Sequence, residues 1–227
     1  MNAATADSER RRPYHHGALH TALIEASVEL ARAGGPDRVV LREAARVAGV
    51  SHSAAYRHFA DREALLAEVS RQARAELAAE MRRHIDMASG PGESLQAVGV
   101  AYIDFALTQP GLFRAAFTSH PAANGNDVQA QDNPSAVARS DGASRFGAGA
   151  EPFDILGQVL DETMAAGLLA PDRRPGAEIA VWSAVHGLAS LLLDGPLPVG
   201  AADIEYASNR VFELIGRGLF AAPDQAE

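Results

Sequence analysis

Residues 39–69 read VVLREAARVAGVSHSAAYRHFADREALLAEV, and the order of residue types there spells two short helices meeting at a sharp corner. Leu41, Ala44, Ala45 and Ala48 fall on one face of a helix over Leu41 to Ala48. Gly49 ends it, because glycine accepts the left-handed backbone that a tight turn between helices demands. Val50 is placed to anchor the turn in the core. Ser51 can cap the next helix through its side-chain oxygen. That helix, His52 to about Phe59, is too short to be held by propensity and must pack through Ala55 and Phe59. His52, Ser53, Tyr56 and Arg57 are then left on its outer face, where small or planar donors suit the major groove of DNA. Asp61 reads as a further N-cap, with Glu63 in the first turn favouring the helix dipole. The helix that follows carries Leu65, Leu66, Val69, Ala73, Leu77, Met81 and Ile85 as a stripe. Over Arg62 to Ala88 it would span about 40 Å.

Working outward from this stretch, Leu19, Leu23, Ile24, Val28, Leu30 and Ala31 form the apolar face of an earlier helix. Gly34-Gly35-Pro36 stops that helix. Downstream, helices are expected over 93–108, 111–117, 152–167, 175–193 and 202–220. Residues 1–14 read as a disordered basic arm, 118–150 as a mobile loop poor in large apolar groups, and 221–227 as a tail. The expected fold class is therefore all-α. A helix-turn-helix domain over 15–61 precedes a helical regulatory and dimerisation domain over 62–220.

Composition narrows the function classes. The chain has 227 residues and no cysteine, which excludes disulfides, thiolate metal sites and a cysteine nucleophile. The first residues lack the apolar stretch of a signal peptide. The longest apolar run, around Leu188 to Leu193, is broken by Asp194 and Gly195 and is too short to span a membrane. A cytoplasmic protein with no membrane partner is expected. The formal net charge is −9, yet residues 1–62 hold nine Arg against seven acids, a balance of +2. The remainder holds eleven Arg against 22 acids. The acidic bulk repels phosphate and the N-terminal part does not. His16 and His20 have the i, i+4 spacing of metal ligands but no third ligand nearby, so no metal is expected. The nucleophile-elbow, zincin and phosphate-loop patterns of enzymes are all missing, and neither an activity nor a cofactor is expected.

The combination Ala48-Gly49-Val50-Ser51, Tyr56-Arg57-His58-Phe59 and Arg62-Glu63-Ala64-Leu65-Leu66 resembles the TetR family of bacterial transcription regulators. The resemblance extends over residues 15–66. Tyr14-His15-His16-Gly17, the segment VWSAVHGL at 181–188 and QPGLFRAAF at 109–117 are similar to a subgroup with a Trp-His-Gly type C-terminal domain. The resemblance implies that Ser51, His52 and Ser53 open the recognition helix and face bases or phosphates. Tyr56 and His58 would reach phosphates, Arg42 bases or phosphate, and Arg62 a phosphate at a helix N-terminus. Arg10, Arg11 and Arg12 would enter a neighbouring minor groove. One position departs from the family: Val40 stands where many members have a capping Thr or Ser.

The resemblance also implies a homodimer on double-stranded palindromic operator DNA, acting as a repressor released by a small, mostly hydrophobic effector. Phe105, Phe113, Phe117, Met164, Trp182 and His186 are candidates to line the effector pocket. Their helical spacing equally suits ordinary core packing. The long apolar faces Val181, Val185, Leu188, Leu192 and Val211, Phe212, Ile215, Leu219 are candidates for the dimer interface. A second class stays open: a helical small-molecule-binding or scaffold protein with a vestigial helix-turn-helix, favoured by the acidic surface and by Val40.

Overall fold

The structure is a computed structural model that describes residues 16–118 and 151–220. Among these residues the chain is all-α, with no strand. The arm with Arg10, Arg11 and Arg12, the segment 119–150 and the tail 221–227 lie outside the described residues. The helices are α1 (His16–Gly34), α2 (Leu41–Val47), α3 (His52–Ala55), α4 (Arg62–Ile85), α5 (Pro91–Thr108), α6 (Pro110–Ala116), α7 (Glu151–Ala165), α8 (Ala177–Asp194) and α9 (Ala201–Phe220).

Local chemistry explains the boundaries. Gly35 (φ 78°) ends α1 and Gly49 (φ 68°) makes the corner between α2 and α3. The Ser51 hydroxyl accepts from the Ala54 N–H at 3.2 Å, and the Asp61 carboxylate accepts from the Ala64 N–H at 2.8 Å. Both expected caps are therefore formed. Val40 sits at the N-cap of α2 without a side-chain cap, and Asp37 does not replace it. α3 stops earlier than expected because the backbone bonds of Arg57 to Ala54 and His58 to Ala55 tighten the chain into three-residue turns. The same tightening, Met87 to His84 and Ala88 to Ile85, ends α4 at Ile85 instead of Ala88.

The amphipathic stripe of α4 makes it the central strut, with α1, α5, α6 and α7 packed around it. Leu65, Val69, Ala73, Leu77 and Met81 are almost wholly buried, each worth about 1.5–3 kcal/mol for its larger apolar side chains. α2 and α3 close against one another beside α1. Arg32 ties α1 to this frame by donating to Glu76 Oε2 (3.0 Å) on α4 and Gln109 Oε1 (2.6 Å) at the end of α5. α6 presses on the same end of α1. A Cβ on Gly111 would lie 2.1 Å from the Ala31 carbonyl oxygen, so only glycine permits this approach.

At the other end α8 packs on α5 and α9 packs on α8 and α5. α8 is the described helix long and apolar enough to cross a membrane, and one of its faces is buried in this packing. The expected dimer residues divide here, and Leu188 and Val211 among them also line an outward groove between α8 and α9. Val181, Val185, Leu188, Leu192 and Leu219 are buried within the single chain, and Val211, Phe212 and Ile215 pack partly buried against its core. Their periodicity marked the seam among α5, α8 and α9. The apolar side chains turned outward are Ile179, Leu191, Val199, Tyr206 (70% exposed) and Leu214 (68% exposed).

Candidate nucleic-acid interface

α3 is held by what it buries. Ala55 is fully enclosed and Phe59 nearly so, with the His20 ring of α1 stacked on Phe59 at 4.9 Å and 21°. With those positions turned inward, Ser51, His52, Ser53, Tyr56 and Arg57 are exposed together. Tyr56 is half exposed, and its ring meets the edge of His52 at 4.7 Å, so each stiffens the other. The hydroxyls of Ser51 and Ser53 are 3.2 Å apart. His58 is only half-buried, its ring 6.1 Å from that of His20. Arg42 is exposed on α2, one turn before Arg46, whose guanidinium is engaged with Glu43 and lowers that carboxyl's pKa. The face offers hydroxyls, imidazole, phenol and guanidinium, which are the groups that contact phosphates and base edges.

Arg62 differs from expectation. Its Nε donates to the Val39 carbonyl (2.8 Å) and its Nη2 to the Pro36 carbonyl (2.7 Å), with Asp37 3.9 Å away. The guanidinium braces the loop that enters α2, instead of projecting as a free phosphate ligand. The carbonyls it satisfies lie directly before the uncapped start of α2.

The expected pocket residues separate into two groups. Phe113, Phe117, Trp182 and His186 come together in one cluster. Phe113 stacks on His186 at 5.6 Å and Phe117 stands edge-on to it at 5.2 Å. Phe105 instead lines a polar depression with Arg32, Glu76 and Gln109, and Met164 packs partly buried against the core. Two members were not anticipated. Tyr102 lies 5.0 Å from Trp182 and 5.4 Å from Phe113, and Phe153 lies 5.6 Å from Trp182. The Tyr102 hydroxyl and His186 Nδ1 are 2.6 Å apart. Burial pushes the phenol's pKa up and pulls the imidazole's down. Both shifts favour neutral partners, with the phenol donating and Nδ1 accepting, which leaves Nε2 as the protonated nitrogen. The aromatic run QPGLFRAAF and the paired Trp182 and His186 signalled four of the six members of this cluster; nothing local signalled Tyr102.

A capped helix-turn-helix set on a helical core that carries an aromatic–histidine cluster defines a DNA-binding transcription regulator. Residues 23–69 match the family described as bacterial regulatory proteins, tetR family, and residues 95–215 match the tetracyclin repressor-like C-terminal domain. The second match alone spans just over half of the chain, and the chain belongs to the TetR family. Its fold is similar to a solved structure of a protein with unknown function from Rhodococcus sp. RHA1. That pair shares 27% identity and a TM-score of 0.67, covering 92% of this chain and 99% of the other. A TetR-family transcriptional regulator from Pectobacterium atrosepticum is 19% identical with a TM-score of 0.65, over 94% of this chain and 100% of the other. The regulator FadR from Bacillus subtilis, solved in complex with stearoyl-CoA, is 16% identical with a TM-score of 0.56, over 88% and 99%. No curated protein matches the chain.

Proposed function

We propose that this protein is a homodimeric, non-enzymatic repressor of the cytoplasm that binds a palindromic operator and is released from it by a small hydrophobic effector. The observation that carries the reading is the joint exposure of Ser51, His52, Ser53, Tyr56 and Arg57 on a short helix held from behind by Ala55 and Phe59. In this reading residues 15–61 are the DNA-reading unit and 62–220 the regulatory unit. α3 lies in the major groove. Ser51, His52, Ser53 and Arg57 meet bases or phosphates, Tyr56 and His58 meet phosphates, and Arg42 joins them from α2. Arg62 acts as a positioning residue. Arg10, Arg11 and Arg12 enter a minor groove.

One such helix makes too few base contacts for tight specific binding; two on a dimer axis read half-sites about 34 Å apart, or a multiple of that. The second copy covers the outward face of α8 and α9, where Leu191 and Tyr206 line a groove of about 610 Å³ and Ile179 and Leu214 are exposed on the same two helices. Four helices from two chains would then form a bundle. For release, α6 gives one link between the two units, beside α4. Its Gly111 abuts α1 while its Phe113 belongs to the ring cluster. An effector that shifts these rings moves α6 and α4, and the two recognition helices lose their spacing. Ligand and DNA then oppose one another reciprocally.

The test is selection of bound sequences from random duplex DNA, followed by titration of the enriched sequence against a scramble at physiological salt. An enriched palindrome preferred by about a thousandfold or more, with affinity falling steeply as salt rises, is the expected result. Weak binding without sequence preference would overturn it in favour of a helical ligand-binding protein.

A further inference from the structure

The six clustered rings fill their own space, and the open volume lies beside them. A crevice of about 120 Å³ runs between α5, α8 and α9. Leu95, Val181, Val185, Ile215 and Phe220 line its walls, and Gln96 is the one lining side chain able to hydrogen-bond. A second void of about 20 Å³ lies deeper, against Tyr102 and Trp182. The two spaces share Gly99, Val181 and Val185 as lining. Phe212 lines the outer crevice and rests its ring on the shared Gly99, so closely that a Cβ there would be 2.6 Å from Phe212 Cε1. Gly92, Gly99 and Gly216 contribute no side chain, which is why three packed helices leave room here.

We infer that this crevice is the effector site, that Phe212 is its inner gate, and that the effector is a neutral molecule of about one six-membered ring. This inference rests on the ligand-responsive reading above and gives it a location and a chemical class. Size argues for it: the crevice and the deeper void joined through Phe212 approach the roughly 150 Å³ of an apolar cavity that accommodates benzene. Chemistry argues for it as well. Among the described residues that line it none is charged, so a carboxylate or ammonium entering it would shed hydration with no opposite charge to compensate. A single polar substituent has a partner only at the Gln96 end. When Phe212 swings off Gly99, the ring reaches Trp182 and the cluster that holds α6.

Trp182 is the only tryptophan of the chain, so it reports on the inner void. Toluene and benzoate are titrated into the full-length protein while tryptophan emission is followed. A saturable change with toluene and none with benzoate is expected. In Gly216→Leu, the new Cβ has its nearest neighbour at 3.8 Å, so the backbone position has room for a side chain on a residue that lines the crevice. Toluene affinity should fall there by about tenfold or more, and should rise in Phe212→Ala, where the gate is gone. No saturable change in any of the three proteins, equal binding of benzoate, or an unaltered Gly216→Leu would overturn the assignment. The same titrations are repeated on the operator complex. Toluene that binds and leaves the DNA bound supports the site and counts against effector-driven release alone.

Discussion

At the scale of single residues, DNA contact and fold maintenance are carried by different side chains, so they separate experimentally. Tyr56 and Arg42 are exposed and bury nothing the core needs. Tyr56→Phe and Arg42→Ala should each weaken operator binding by about tenfold while leaving thermal unfolding unchanged; gel-shift titration beside calorimetry checks both. Normal binding by both variants would remove these residues from the interface. His186 gives the residue-scale pH dependence. Burial lowers its pKa in the folded chain, so the unfolded chain takes up the proton first as pH drops below about 6.5. Stability contributed by neutral His186 is therefore present above that pH and is lost progressively toward the lower folded value. His186→Leu leaves the Tyr102 hydroxyl without its partner and should cost about 1–3 kcal/mol at neutral pH. Yet the variant should lose less stability than the parent between about pH 7.5 and pH 5.5, as urea unfolding at the two pH values will read.

At the scale of elements, the contact of α6 with α1 depends on one missing methyl group. Gly111→Ala places a Cβ 2.1 Å from the Ala31 oxygen, so one helix must retreat. A loss of about 1–3 kcal/mol in chemical denaturation is expected, and an unaltered midpoint would show that the helices yield freely. Elements also differ in how far the sequence betrayed them. Ser51, Asp61, Gly35 and Gly49 act within a few residues of themselves, so the helix-turn-helix could be read residue by residue. The aromatic cluster could not, because Tyr102 and His186 are 84 positions apart and meet only when α5 packs on α8. The intrachain bonds of Arg62 were illegible for a related reason. An arginine at a helix N-terminus looks the same in sequence whether it reaches a phosphate or folds back onto the carbonyls of Pro36 and Val39. A dimer face is hard to read from sequence because an i, i+4 apolar stripe marks the face that is buried first. On α8 that face, through Val181, Val185, Leu188 and Leu192, was used up inside the chain. The outward face carries Ile179 and Leu191 among small residues and has no comparable period.

At the scale of the whole molecule, the outward apolar residues of α8 and α9 set the expected assembly. Tyr206→Asp and Leu214→Asp alter exposed side chains, so each variant should fold yet elute as a monomer in light scattering at micromolar concentration. Both should lose cooperative operator binding; dimers persisting in both would move the interface elsewhere. α9 also has a more personal dependence on its neighbour. Leu219 is its only buried residue among those described, and its packing is mainly along α8 and, lightly, α5, with one hydrogen bond from Arg173 to the Gly218 carbonyl (2.7 Å). A helix so lightly moored has a low local opening energy, whereas α4 opens only with the whole domain. Covering its outer face with a second copy stabilises it by mass action. Amide hydrogens of α9 should therefore exchange faster as the protein is diluted, while those of α4 keep their rates. On this view the last helix is less a part that the chain folds by itself than one that each molecule receives in finished form from its twin.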